Sequence, residues 1–125
     1  MPNYSTQIVY IPNLSVAKEE IAKIGTDPGG VLRMAPKAVH FCIKVEHLRS
    51  KACNILKQEM LSLGGDAAVH KHVVDAGVEY SDVLLMGTVK QYRLLIPKLK
   101  AQPFGLAKLA EDIKEILASQ EVRGE

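Results

Sequence analysis

The run Asp82-Val83-Leu84-Leu85-Met86-Gly87 places four large apolar residues in succession, and Thr88-Val89-Lys90-Gln91 follows at once. A short apolar run without polar alternation reads as a strand covered on both faces. Thr88 and Gln91 are three residues apart and fit a capping box, in which each side chain bonds the other's free backbone amide. A buried strand that turns directly into a helix points to an α/β layer architecture, and the remaining segments have to be arranged around it.

Other segments carry strand, helix and turn signals of their own. Gln7-Ile8-Val9-Tyr10-Ile11 is a β-branched and aromatic run ended by Pro12, so a strand is expected there. Leu14, Ala17, Ile21 and Ile24 then recur on one face of a helix that Gly25 closes. Thr26 to Gly30 has turn chemistry, and Val31 to Met34 reads as a brief strand. Ala38 to Val45 alternates as a strand. Glu46 to Leu63 carries a helical stripe of Leu48, Ala52, Ile55, Leu56, Met60 and Leu63, which Gly64-Gly65 stops. Asp66 to His70 is a short strand, and His72 to Tyr80 is ambiguous. Pro97 is expected to kink or end the helix that starts at Thr88. Gln102 to Gly105 connects to a last helix from about Leu106 to Ala118. The expected fold is one α/β domain spanning residues 1–125, with a small, mostly parallel or mixed sheet of four to five strands flanked by about four helices. Residues 1–5 and 119–125 are expected to fray.

At 125 residues, with 47% hydrophobic and 24% charged residues, the chain can bury one real core and is not of disordered composition. It is too short for a complete (β/α)₈ barrel, which takes about 250 residues. The net charge of +2 is interleaved along the chain and aromatics are 5%, so a nucleic-acid partner is not expected. No basic start with an apolar stretch marks a signal peptide, and the longest strongly apolar run, Val83 to Met86, is far too short for a membrane span. A cytoplasmic protein without a membrane partner is expected. Cys42 and Cys53 both read as buried, reduced thiols.

Four groups of residues have chemical potential. His70 and His72 would share one face of a strand, and a metal site would need a third ligand such as His40 or Asp75. The plain reading is polar residues at a strand end, and no metal or other cofactor is expected. Gly87 and Thr88 end a strand at a helix N-terminus, where free amides and the helix dipole favour an anion. Asp27, Gly29 and Gly30 with Arg33 and Lys37 close behind offer a second anion-binding loop, in which glycine amides and two cations would cooperate. Asn54, Lys57, Gln58 and Glu59 with Asp66 form a polar face beside the Gly64-Gly65 stop and are the preferred shared surface or site. Lys57, Glu59 and Asp66 are the trio from which an unrecognised chemistry would be assembled. No nucleophile-and-base motif, Walker loop, HExxH or GxGxxG occurs, so no catalytic residue is assigned.

A series of motifs is nonetheless distinctive. Ile24-Gly25-Thr26-Asp27-Pro28-Gly29-Gly30, Met34-Ala35-Pro36-Lys37-Ala38, Asn54 to Ser62, Gly64 to Val69, Leu85-Met86-Gly87-Thr88 and Gln102 to Leu106 follow one another in order. Together they resemble the segment that precedes the catalytic barrel in a long form of dihydropteroate synthase, and the likeness extends over about residues 6 to 118. That family joins a pterin pyrophosphate to p-aminobenzoate in folate synthesis, using barrel motifs of the Asn-x-Thr-Pro-Asp-Ser type that do not occur in this chain. The resemblance therefore implies the accessory domain standing alone, or a separately encoded piece of a split enzyme; association with a barrel synthase or with itself is the expected mode of action. The alternative is a free-standing binder of a pterin- or phosphate-bearing anion. His70, His72 and Pro97 lie outside the resemblance.

Overall fold

The computed structural model describes residues 3–124, with side chains as far as Glu121. In chain order the elements are α1 (Leu14–Lys23), α2 (Pro28–Ala38), β1 (His40–Arg49), α3 (Ser50–Ser62), β2 (Asp66–Ala68), β3 (Tyr80–Thr88), α4 (Val89–Lys100) and α5 (Leu106–Gly124). The apolar run of residues 82–87 is the centre of the sheet, whose order is β1-β3-β2, and β3 is antiparallel to both neighbours. β1 and β2 thus run in the same direction, joined by α3, and β3 fills the space between them. This corrects the expected sheet of four to five mostly parallel strands. The helical crossover implied by the alternation is present, but the inserted β3 keeps the two parallel strands from bonding each other.

Among the described residues two expected strands are absent, and five helices stand where about four were expected. Gln7 to Ile11 carries no regular secondary structure and is unpaired. Val31 to Met34 lies inside α2, because Asp27 caps a helix there. Its carboxylate accepts the Gly30 N–H at 2.9 Å, and Pro28 occupies the first turn, where its missing donor costs nothing. The helix expected from Glu46 begins only at Ser50. β1 stays paired with β3 as far as Arg49 opposite Tyr80, through an irregularity between Val45 and Leu48. β2 stops at Ala68, short of His70, and residues 71–76 form turns. Pro97 neither ends α4 nor lies in its core-facing side. It is exposed, so solvent can reach the carbonyl it leaves unbonded. α5 continues past Ala118 to Gly124, and the Glu121 carboxylate accepts the Leu14 N–H at 3.3 Å at the start of α1. Met1, Pro2 and Glu125 lie outside the described residues.

Alternation decides which face of the sheet is buried. Ile43, Leu85 and Ala67 align across the three strands and are buried with Val83. They pack under α3, α4 and α5 against Leu56, Met60, Tyr92, Leu95, Leu99, Leu106 and Ile113. The opposite face carries Cys42, Met86 and Asp66 in one row and Lys44, Leu84 and Ala68 in the next. That face is open, with Leu84 39% exposed and Cys42 exposed, so β3 is covered on one side only and Cys42 is not a buried thiol. Cys53 is buried, as expected. A smaller cluster of Leu14, Ala17, Ala35, Val39 and Val89 fastens α1 and α2 to the start of β1 and of α4.

Tyr92 is fully buried, and its hydroxyl donates to the Phe41 carbonyl at 2.6 Å, joining α4 to β1. Burial, with a smaller effect from nearby Cys42, holds the phenol's pKa above its ordinary value. Folding therefore favours the protonated phenol, and this stability is complete below the ordinary phenol value of about 10 and is lost as pH rises above it. Tyr92→Phe is expected to cost about 1–3 kcal/mol at neutral pH, because a buried carbonyl loses its donor. The difference between variant and wild type should shrink in alkali. Urea titrations at pH 7 and above pH 10 check both.

Candidate functional site

The turn from β3 into α4 is the best-formed junction in the molecule. Gln91 Oε1 accepts the Thr88 N–H at 2.8 Å, and the Gln91 N–H returns to Thr88 Oγ1 at 3.2 Å. The capping box read from sequence is present. The Gln91 side chain also donates to the Leu63 carbonyl at 3.2 Å, which ties the end of α3 to the start of α4. The Val89 N–H donates to the Val39 carbonyl at 2.9 Å. Three of the amides that would have held an anion at Gly87 and Thr88 are thus bonded within the protein. Gly87 is explained by crowding, since a Cβ there would lie 2.7 Å from the Met60 methyl and 3.1 Å from Gln91 Oε1.

The second anion loop keeps Arg33, whose guanidinium would lie 3.2 Å from a Cβ added at Gly29, but not Lys37. Asp27, Gly29 and Gly30 form the cap and first turn of α2, whereas Lys37 lies in its last turn. Ten residues at about 1.5 Å each put roughly 15 Å of helix between them.

The polar face divides into two parts. Lys57 Nζ donates to the Ala67 carbonyl at 2.7 Å and meets Asp66 Oδ1 at 3.4 Å, joining α3 to β2. The Ala67 N–H, and then Lys57, hold the Asp66 carboxyl below its ordinary pKa. Asn54 lies on the same side, 3.4 Å from the Val73 carbonyl, and Gln58 is exposed. Glu59 turns away toward Lys98 of α4 at 4.0 Å. The trio Lys57, Glu59 and Asp66 does not converge, and Lys57 serves as a structural tether.

Two features went unread in the sequence. One is an open depression of about 440 Å³ at the bulged end of the sheet, lined by His47, His70, Tyr80, Ser81 and Asp82. His47 has a left-handed backbone, φ 55°, its N–H donates to Asp82 Oδ1 at 2.9 Å, and its ring stacks on Tyr80 with centroids 4.0 Å apart. A left-handed non-glycine residue is a strained conformation that its surroundings must hold in place. His70 and His72 lie beside this place, on a turn and not on a strand face. His70 Nδ1 accepts the His72 N–H at 3.0 Å, and His72 Nδ1 is 3.2 Å from Asp75 Oδ2. Rings that can stack, donate and accept suit a polar planar group, but among the described residues no three potential metal ligands converge. The signal for this site was the extension of the strand beyond Val45, which the helical stripe from Leu48 concealed. The other feature is a groove of about 330 Å³ between α4 and α5, walled by Val89, Ile96, Leu117 and Ala118 and edged by Arg93, Lys114 and Glu121. No described helix is long and apolar enough to cross a membrane.

Sequence comparison connects this architecture to larger proteins. Over 105 residues, 84% of this chain, it is 38% identical to a Helicobacter pylori protein named bifunctional dihydropteroate synthase/dihydropteroate reductase, of which the match covers 28%. Over 110 residues, 88% of the chain, it is 33% identical to 13% of a Halobacterium salinarum protein named probable bifunctional folylpolyglutamate synthase/dihydropteroate synthase. A Haloferax volcanii protein of the same name is 39% identical over 83 residues, 66% of this chain and 10% of its own length. The chain therefore spans between a tenth and somewhat over a quarter of the length of these relatives, as a homologue of one segment of dihydropteroate synthase fusions. No family model matches the chain. No solved structure matches it either.

Gln91→Ala should remove the two side-chain bonds to Thr88 and Leu63 at the β3–α4 junction and destabilise the protein by about 1–3 kcal/mol, measured by urea unfolding. Because the junction amides are engaged, inorganic phosphate should leave the wild-type melting temperature unchanged, whereas a phosphate site would raise it by mass action.

Proposed function

We propose that this domain is an accessory unit of folate biosynthesis that works by binding the catalytic barrel of a dihydropteroate synthase, with no chemistry of its own. The observation that carries this reading is what the three relatives share. Their second named activity differs, a reductase in one and a folylpolyglutamate synthase in the others, but dihydropteroate synthase is in every name. A segment that accompanies one activity through different fusions is best understood as serving that activity. Folate synthesis at a soluble enzyme also suits a cytoplasmic location.

The open face of the sheet is the surface we assign to the barrel. Cys42, Leu84, Met86 and Ala68 supply apolar area, and Lys44, Asp66 and Asp82 border it. An exposed apolar patch with a polar margin is the usual form of a protein contact surface. It lies on the side of the sheet away from α3, α4 and α5, so a partner can cover it without disturbing the core.

A second reading is favoured by the groove between α4 and α5. Its apolar walls, with Arg93 and Lys114 at the rim, suit a pterin- or phosphate-bearing anion, and its volume is at the lower end of small-molecule sites. This reading moves the anion site from Gly87 and from the Asp27 loop to helix side chains.

The purified chain, mixed with the barrel synthase of the same organism, should co-elute in light scattering and change synthase kcat/KM several-fold. Leu84→Asp should weaken the complex while leaving the circular dichroism spectrum of the free chain unchanged, because Leu84 faces away from both core clusters. Absence of both a complex and an effect on turnover contradicts the reading. A melting-temperature rise with pterins that Arg93→Ala abolishes would favour the groove instead.

A further inference from the structure

We propose that the segment Gln7–Ile11 is a strand supplied to a second copy of this chain, where it lies along the free edge of β1. This goes beyond association with a barrel, because it concerns contact between identical chains and uses a different surface.

The segment has the composition of a strand, yet its apolar side chains lie open to solvent. Ile8 is 100% exposed, Tyr10 83% and Val9 46%. No hydrogen bond joins residues 3–11 to another described residue. From Asn3 to Ile11 there is no charged residue and no proline. Proteins normally protect a solitary β-prone stretch with charge or proline, because an unprotected one pairs with other chains. A run this apolar therefore calls for a sheet edge, and its own chain does not provide one.

The acceptor is within reach in a second copy. β1 is a ten-residue strand at the margin of the sheet and, among the described residues, pairs only with β3. The segment leaves its own body at Ile11, which packs against the cluster containing Val39, immediately before β1. Five extended residues span about 17 Å, which matches half the length of β1. Beside the first half of β1 lies a depression of about 210 Å³ lined by Phe41, Ile43, Ile116 and Leu117. Strand addition draws affinity from main-chain bonds and specificity from pockets that take alternate side chains. Ile8 and Tyr10 are two apart, project to one face of the strand, and supply the side chains for such a pocket. Because donor segment and acceptor edge start from the same place on the body, a two-fold axis lets each copy give one strand and receive one.

The test is the mass of the chain alone by size-exclusion light scattering, over a range of concentrations up to about 1 mM, since a dimer responds to concentration. The wild type should reach twice 13.7 kDa. The double variant Ile8→Lys, Tyr10→Lys should remain at the monomer mass with an unchanged circular dichroism spectrum, because neither side chain belongs to either core cluster. Hydrogen exchange should show residues 7–11 and 41–45 protected in the wild type and at least tenfold less protected in the double variant. A wild type that stays monomeric, a double variant that keeps the dimer mass, or a lost dimer with unchanged protection at 41–45 would each overturn the proposal. Barrel synthase is absent from this experiment, so its outcome is separate from that of the accessory reading.

Discussion

Everything near the centre of this fold is arranged around one methyl group. Met60 closes α3 by lying against Gly65 and Gly87, where added Cβ atoms would be 2.6 Å and 2.7 Å from its terminal carbon. Neither glycine can carry a side chain while Met60 stays in place, because real carbon contacts do not approach so closely. That fit sets the distance between the end of α3, the entry to β2 and the exit from β3. Gln91 then bonds both Thr88 and Leu63 across the gap, so α4 starts at a fixed place above the sheet. Tyr92, the next residue, reaches the Phe41 carbonyl of β1. Packing, capping and sheet pairing thus depend on a junction that resembles an anion-binding turn in sequence but is closed by the protein's own groups.

The legible parts of the structure were those decided locally. Thr88 and Gln91 announced a capping box, and α1, α3 and α5 followed from their apolar stripes. The β3 strand followed from its uninterrupted apolar run. The rest depended on tertiary partners. Asp27 and Pro28 turned a glycine-rich stretch into the start of a helix, because a good cap and a pre-set φ outweigh two glycines. His47 belongs to a strand because its amide finds Asp82, a residue 35 positions later. The apolar run in β3 suggested cover on both faces, but only Val83 and Leu85 are covered, and Leu84 and Met86 face outward. The strand order was hidden for a similar reason. Alternation of helix and strand implies a crossover but does not say whether a third strand will occupy the space it leaves.

The candidate site residues divide along the same line. Those chosen for free backbone amides, Gly87, Thr88, Gly29 and Gly30, are used by local caps or packing. Those chosen as a polar face, Asn54, Lys57, Gln58, Glu59 and Asp66, are partly engaged as tethers between α3 and its neighbours. What the fold leaves unsatisfied is apolar: the open face of the sheet and the unpaired segment before α1. A domain that completes its polar bonds internally and leaves apolar surface outside suits the proposed contact with protein. This agrees with relatives in which the same segment is part of a longer chain named for dihydropteroate synthase.

The most direct measurement is hydrogen–deuterium exchange of the chain with and without the barrel synthase. The account requires slower exchange in 42–44, 66–68 and 84–86, the residues of the open sheet face, with no change at 87–91, where the junction is already closed. Slowing confined to 87–91, or no difference anywhere, would contradict it.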